Sequence, residues 1–186
     1  MFPESEISVI EPKSLSSFDE LHEKDTATLD IVKRKVENGE KVLIYTSWVT
    51  IDTQDKLKNM LEENGYRVAV LPQSVPPEKR ELWVDKKIKE GLDVLITNPS
   101  LIETGLDLNA FTTLIYYNIG YNLYTFRQSS RRSWRINQTA PRIEVYILYY
   151  TACVQDLRKR IVYQTCRRLS IKVFCPSLWM MTIILL

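Results

Sequence analysis

The chain is expected to form an α/β domain in three layers, a mainly parallel central sheet with helices on both faces. One observation comes from glycine: Gly39, Gly65 and Gly91 recur every 26 residues, each closing a charged, periodically apolar segment and standing just before a β-rich run. A glycine just past a helix end takes the left-handed conformation that releases the chain, so the pattern reads helix, glycine, strand, three times over. The other comes from the runs themselves, which are short and nearly continuously apolar, as strands covered on both faces must be. Alternation of such strands with helices through short connections implies parallel pairing.

Residues 1 to about 24 form a polar leader rich in Ser and Glu, with two prolines. The first helix carries the stripe Leu29, Val32, Val36 and ends at Gly39; the strand after it is Val42 to Tyr45. Leu57, Met60 and Leu61 mark a second helix before Gly65, followed by a strand from Arg67 to Leu71. Pro76-Pro77-Glu78 starts a third helix, whose stripe is Leu82, Trp83 and Ile88 before Gly91, and the strand Val94 to Thr97 follows. Two further strands are read over Thr113 to Tyr117 and Glu144 to Tyr150, then a charged helix from Asp156 to about Arg168. Their tyrosines (116, 117, 146, 149, 150) are assigned to core or sheet edge. The stretch from 169 to 186 departs from this rhythm: it has no charge after Lys172, and its fourteen uncharged residues, interrupted by Pro176, fall short of the ~20 a membrane helix needs.

With 186 residues, 45% hydrophobic and 26% charged, the chain can bury one core, and one domain is the default. A net charge of +2 is too small to announce nucleic-acid binding by bulk electrostatics, so any such binding depends on where the charges sit. Cys153, Cys166 and Cys175 lack the close pairing of metal sites, and nothing at the N-terminus resembles a signal peptide, which fits a reducing cytoplasm. His22 is the only histidine, leaving almost no material for histidine-based nucleophilic or zinc chemistry; no metal ligands are assigned.

The chemistry concentrates in Gln128-Ser-Ser-Arg131-Arg132-Ser-Trp-Arg135-Ile-Asn-Gln138. Arginines three or four apart share one helix face and can aim two guanidinium forks at one anion, for which phosphate is the natural candidate. No carboxylate lies between Phe126 and Arg142 to neutralise them, and the glutamines frame the spacing Gln-x-x-x-Arg-x-x-Arg-x-x-Gln. Upstream, Asp93-Val-Leu-Ile-Thr97-Asn98-Pro99-Ser100 reads as a buried strand opening onto hydrogen-bonding side chains, and Gly105-Leu-Asp107 follows. Further upstream, Lys41-Val-Leu-Ile-Tyr45-Thr46-Ser47-Trp48 is an apolar strand opening onto hydroxyls and an aromatic.

In order and spacing these three segments resemble motifs VI, V and IV of superfamily 2 helicases and translocases, in the glutamine-rich form of the Swi2/Snf2-like branch, over roughly residues 25 to 160. The resemblance implies a RecA-like domain at 25–168, with 1–24 as a linker from a preceding lobe and 169–186 as an atypical, frameshifted or truncated tail where the family carries an amphipathic helix. It implies that Arg132 and Arg135 are catalytic arginine fingers reaching a nucleotide held by a neighbouring lobe. Gly105, Asp107 and Gln128 would contact that nucleotide, Asp107 through its ribose. Ser47, Trp48, Thr97 and Asn98 would touch nucleic acid, whereas Trp134 would anchor its helix. Arg131 falls outside the pattern and faces nucleic acid or solvent.

In open α/β sheets, ligands gather outside the carboxyl ends of the strands, and all three segments begin there. This places the hydroxyls, amides, aspartate and arginines on a single edge. No Gly-x-x-x-x-Gly-Lys-Ser/Thr loop occurs, and no acidic strand end offers magnesium ligands. The resemblance therefore implies half of an ATPase: the second motor lobe of a DNA helicase or translocase, inactive alone. Its partners would be an N-terminal RecA-like lobe that binds ATP and Mg2+, and nucleic acid, double-stranded DNA by analogy; no membrane partner is expected. The apolar tail would favour dimerisation or poor solubility. The rival reading is a non-catalytic α/β binding module whose arginine edge takes a protein or an anionic ligand.

Overall fold

The computed structural model describes residues 21–47, 53–102, 106–118, 123–133 and 138–149, together with the strands 172–177 and 180–185. Trp48, Gly105, Trp134, Arg135 and the helix expected over 156–168 lie outside the described residues.

Among the described residues, four α-helices and seven strands follow in order: α1 (Glu23–Glu37), β1 (Lys41–Tyr45), α2 (Thr53–Glu63), β2 (Val68–Val70), α3 (Arg80–Lys89), β3 (Val94–Thr97), β4 (Phe111–Tyr116), α4 (Leu123–Arg131), β5 (Ile143–Leu148), β6 (Lys172–Ser177) and β7 (Met180–Leu185). The strands form one sheet in the order β2-β3-β1-β4-β5-β7-β6. Its first five members are parallel, with Val42 opposite both Val94 of β3 and Thr113 of β4, and Leu114 opposite Val145 of β5.

Side chains of alternate residues enter opposite faces, as the two-residue strand period requires. Val42, Ile44, Val94, Ile96 and Ile115 pack under α1 and α2 against Ile31, Val32, Leu57 and Leu61. Leu43, Tyr45, Leu95, Leu114 and Tyr116 face the other way, under Val84 of α3, Phe126 of α4 and the crossover residues Ile102, Leu106 and Leu108. The layers are thus helix, sheet, helix, as the alternating pattern predicts. Gly91 follows α3 at φ +93°, and a Cβ there would strike the Arg67 guanidinium, so both backbone and space call for glycine.

Two details differ from the sequence expectation. Leu82 is 71% exposed, and α3 instead buries Val84 and Arg80, with Trp83 and Ile88 partly covered. Arg80 is held because its Nε donates to the carbonyl of Val75 (3.0 Å) and its Nη1 to that of Leu101 (2.7 Å), which ties the loop before α3 to the turn after β3. The apolar tail is not a loose end: β6 and β7 make an antiparallel hairpin, and β7 pairs along β5 from Ile143↔Leu185 to Leu148↔Met180. Its uncharged composition suits a strand lying beside a buried one.

Among the described residues, no helix is long and apolar enough to cross a membrane.

Candidate nucleotide and nucleic-acid sites

The mouths of β3, β1 and β4 form a rim that hydrogen bonds stitch together. The amide of Thr46 donates to the carbonyl of Thr97 (3.0 Å), and that of Tyr117 to Tyr45 (3.0 Å), so the strand order carries past the last paired residues. Ser47 is fixed by its amide, which donates to Asn118 Oδ1 at 3.0 Å, and Thr46 Oγ1 accepts from Gln54 Nε2 of α2 at 2.9 Å. Asn98 folds its carboxamide over the turn, accepting from the amide (2.9 Å) and hydroxyl (2.8 Å) of Ser100. Such a closure presets the start of the loop.

Behind the rim, Asp25 is fully buried at the start of α1. Its carboxylate accepts from Lys56 Nζ (2.8 Å), the His22 amide (2.9 Å) and the Tyr117 hydroxyl (2.7 Å). Burial pushes this carboxyl upward, but the Lys56, His22 and Tyr117 bonds outweigh it and hold the group below its ordinary range. The network joins α1, α2 and Tyr117, the residue after β4 and before Asn118.

Asp107 and Arg132 meet elsewhere. The crossover from β3 to β4 runs over the α3 and α4 side of the sheet, and its Leu108 amide donates to the carbonyl of Arg132 at 3.2 Å. Leu108 in turn accepts from the amide of Phe111, the first residue of β4. Thr46, Ser47, Thr97 and Asn98 stand at the strand mouths, and the Asp107 loop and Arg132 stand on the α3 and α4 side of the sheet, where Tyr45 and Tyr116, the last residues of β1 and β4, hold Ser129 one turn before Arg132.

Gln138 clamps that junction. Its Nε2 donates to the carbonyls of Asn109 (3.0 Å) and Ser133 (2.7 Å), and its Oε1 accepts from the amide of Ala140 (2.9 Å). Two tyrosines support it from the sheet. The Tyr45 hydroxyl donates to the carbonyl of Ser129 (3.1 Å), and the Tyr116 hydroxyl is 2.6 Å from Ser129 Oγ. The two rings lie 4.7 Å apart, and Tyr116 is 4.8 Å from the Phe126 ring. Burial drives both phenols well above the ordinary tyrosine range; beside Tyr45 the Tyr116 phenol adds to the rise while the Arg132 charge opposes it. Arg132 thus emerges from a helix end fastened at three points.

Of the residues singled out from the sequence, Ser47 and Asn98 stand at the rim, partly exposed, and Asp107, Gln128 and Arg132 are partly exposed at the junction and on α4. Thr97 is fully buried, its hydroxyl 3.5 Å from the carbonyl of Asn98, so the polar side chains presented beside it are those of Asn98 and the exposed Ser100. Trp48, Gly105 and Arg135 lie outside the described residues. Sequence reasoning missed Gln54, Asn118 and the hydroxyls of Tyr45 and Tyr116, and it used Gln138 only as a spacing mark. Asn118 carries one readable signal, a lone amide directly after an apolar strand. Among the described residues, no group of His, Cys, Asp and Glu is placed to hold a metal ion.

A five-strand parallel core between helix layers, with a polar rim and an arginine-bearing helix end, is a RecA-like α/β arrangement. Residues 23–137 match the model of the helicase conserved C-terminal domain, and the chain belongs to that family. It is similar to an uncharacterized ATP-dependent helicase of Mycoplasma pneumoniae (25% identical over 136 residues, 73% of this chain and 13% of the relative). It is also similar to Helicase swr1 of Schizosaccharomyces pombe (28% over 132 residues, 69% and 10%) and to the ATP-dependent RNA helicase RhlB of Xanthomonas axonopodis (23% over 166 residues, 85% and 28%). The chain therefore spans between a tenth and just over a quarter of these relatives. Among solved structures it resembles the C-terminal part of the Fun30 ATPase domain, with TM-score 0.66 and 22% identity over 76% of this chain and 48% of that one. The Pyrococcus furiosus Hef helicase domain aligns with TM-score 0.54 and 16% identity over 75% and 28%. The Swr1 similarity agrees with the Swi2/Snf2-like branch that the glutamine-framed arginines indicate.

Proposed function

We propose that this chain is the second motor lobe of an ATP-dependent helicase or translocase that acts on double-stranded DNA, completing a nucleotide site whose phosphate loop belongs to a first lobe. The observation that carries the proposal is the bond from Leu108 to Arg132, which unites the Asp107 loop with the arginine segment at one place. In this reading Asp107 offers its carboxylate to a ribose hydroxyl, and Gln128 lies along the same approach. Arg132 and Arg135 bring guanidinium charge to the γ-phosphate, where negative charge builds as the phosphoryl group transfers. Magnesium bound by the first lobe would neutralise phosphate oxygens there. The rim residues Ser47 and Asn98, with Trp48, hold the nucleic-acid backbone. Because β1, β4 and α4 join the rim to the junction, closing the cleft on nucleotide can shift the grip on the strand.

The glutamine-framed arginine pattern favours DNA as the track. The chain alone is expected to show negligible ATP turnover, whereas the same sequence joined to a phosphate-loop lobe hydrolyses ATP faster with duplex DNA than with duplex RNA. Turnover by the pure isolated chain would overturn the division of labour, and preference for RNA would overturn the choice of track.

A further inference from the structure

Helix α4 has an outward face that neither the rim nor the junction uses. Tyr124 is 65% exposed and Arg127 and Arg131 are exposed, while Phe126, Ser129 and Ser130 point inward and are at most 8% exposed. Spacings of three and seven residues place Tyr124, Arg127 and Arg131 on one stripe.

Exposed cations on a helix are ordinarily balanced by local carboxylates, and the neighbouring helix shows this: in α3, Lys86 and Lys87 both pair with Glu90. The α4 stripe is different. Between Leu108 and Ile143 the sequence holds five arginines and no Asp or Glu. Among the described residues, none forms an ion pair or side-chain hydrogen bond with Arg127 or Arg131. All five cations are arginine, whose planar fork suits phosphate oxygens and is more readily desolvated than an ammonium.

The helix also starts in the right place. It follows β4 closely, just beyond Asn118, the residue that fixes Ser47 at the rim, and runs from there toward Arg132. We propose that the outward face of α4, formed by Tyr124, Arg127 and Arg131, is a second nucleic-acid contact that continues the rim. Arg127 and Arg131, with Cβ atoms about 5–6 Å apart as i and i+4 residues are, take backbone phosphates. Tyr124 lies against a sugar or base, offering apolar area with little rotamer freedom to lose. This inference rests on the motor-lobe reading for the identity of its ligand. An acidic protein segment is the competing occupant; the continuity with the rim favours the phosphodiester backbone.

The test is the binding of a short labelled DNA duplex to the whole chain, titrated over salt concentration, for the natural sequence and for R127E/R131E, with R127Q/R131Q as a milder pair. Circular dichroism confirms that the variants fold, as substitutions on an outward face should. Loss of two phosphate contacts is expected to lower the slope of log K against log salt by about 1.8 and to weaken low-salt binding about tenfold or more. An Asn98→Ala change at the rim removes no charge and should leave the slope as it was. Unchanged affinity and slope in R127E/R131E would overturn the proposal, as would failure of the chain to bind duplex or equally tight binding of polyglutamate. In the two-lobe protein, ATP turnover without nucleic acid should be unaltered by R127E/R131E. If that turnover also fell, the stripe would serve the nucleotide, and the proposal would be wrong while the motor-lobe reading stood.

Discussion

The main-chain amide of Leu108 donates to the carbonyl of Arg132 at 3.2 Å, and this single bond sets the distance between the loop bearing Asp107 and the helix end bearing the arginine. Because both groups are main chain, the contact survives changes in the side chains around it. What can be loosened is the clamp next to it, where Gln138 holds Asn109, Ser133 and Ala140.

Replacing Gln138 by alanine removes three hydrogen bonds and leaves two carbonyls and an amide short of partners. The expected cost is about 1–3 kcal/mol in urea unfolding. In the two-lobe protein the ATPase kcat should fall more than nucleotide affinity, since positions rather than contacts are lost. An unchanged kcat in a destabilised protein would show that the clamp is structural only.

Tyr45→Phe takes the donor from the Ser129 carbonyl in a fully buried setting. A loss of about 1–3 kcal/mol is expected, larger than for a hydroxyl removed from the surface. Since burial holds both Tyr45 and Tyr116 well above the ordinary tyrosine range, neither should ionise where exposed tyrosines do in an alkaline absorbance titration of the folded chain. Ionisation of every tyrosine in one step near the free value would contradict the buried pair.

Asp25 gives the chain a defined acid sensitivity. Its folded pKa is depressed below the ordinary 3.8, so its contribution is fully present above that pH and disappears as the pH falls through the lower folded value. Asp25→Ala should cost about 3 kcal/mol at neutral pH, the low end for a broken buried pair because Lys56 keeps some solvent access. The stability difference between natural chain and variant should shrink below pH 3.8. A difference that stayed constant through that range would exclude the proposed linkage.

Much of the fold is legible in the sequence because strands buried on both faces leave little freedom of composition. Val94 to Thr97 and Val42 to Tyr45 are read to within a residue of β3 and β1, and the three positive-φ glycines stand where the helices end. Periodicity fails at α3, which buries Val84 and Arg80 and leaves the expected Leu82 exposed. The site is legible in its residue types and less so in its geometry. Order along the chain shows that Asp107 and Arg132 follow strand mouths, but not that the crossover and α4 bring their segments together on the side of the sheet away from α1 and α2. Nor does it show that Thr97 is covered, since strand-end threonines face either way. The tail misleads because apolar composition without charge is common to sticky ends and to strands laid beside a buried partner.

Deleting residues 171–186 tests that last point. The deletion strips β7 from β5 and leaves an apolar strand with unpaired main-chain groups, so the shortened chain should self-associate more than the full chain in size-exclusion chromatography. A shortened chain that is the more monodisperse of the two would return the tail to the role of a sticky appendage.

The central claim is that Arg132 and Arg135 complete a nucleotide site owned by another lobe, and the most direct measurement is single-turnover ATP hydrolysis by the two-lobe protein carrying R132A or R135A, with nucleotide affinity measured alongside. The account predicts that at least one substitution slows hydrolysis on the order of 10³-fold or more while ATP still binds. Near-normal hydrolysis in both variants would contradict it and leave the chain as an anion-binding module without a part in turnover.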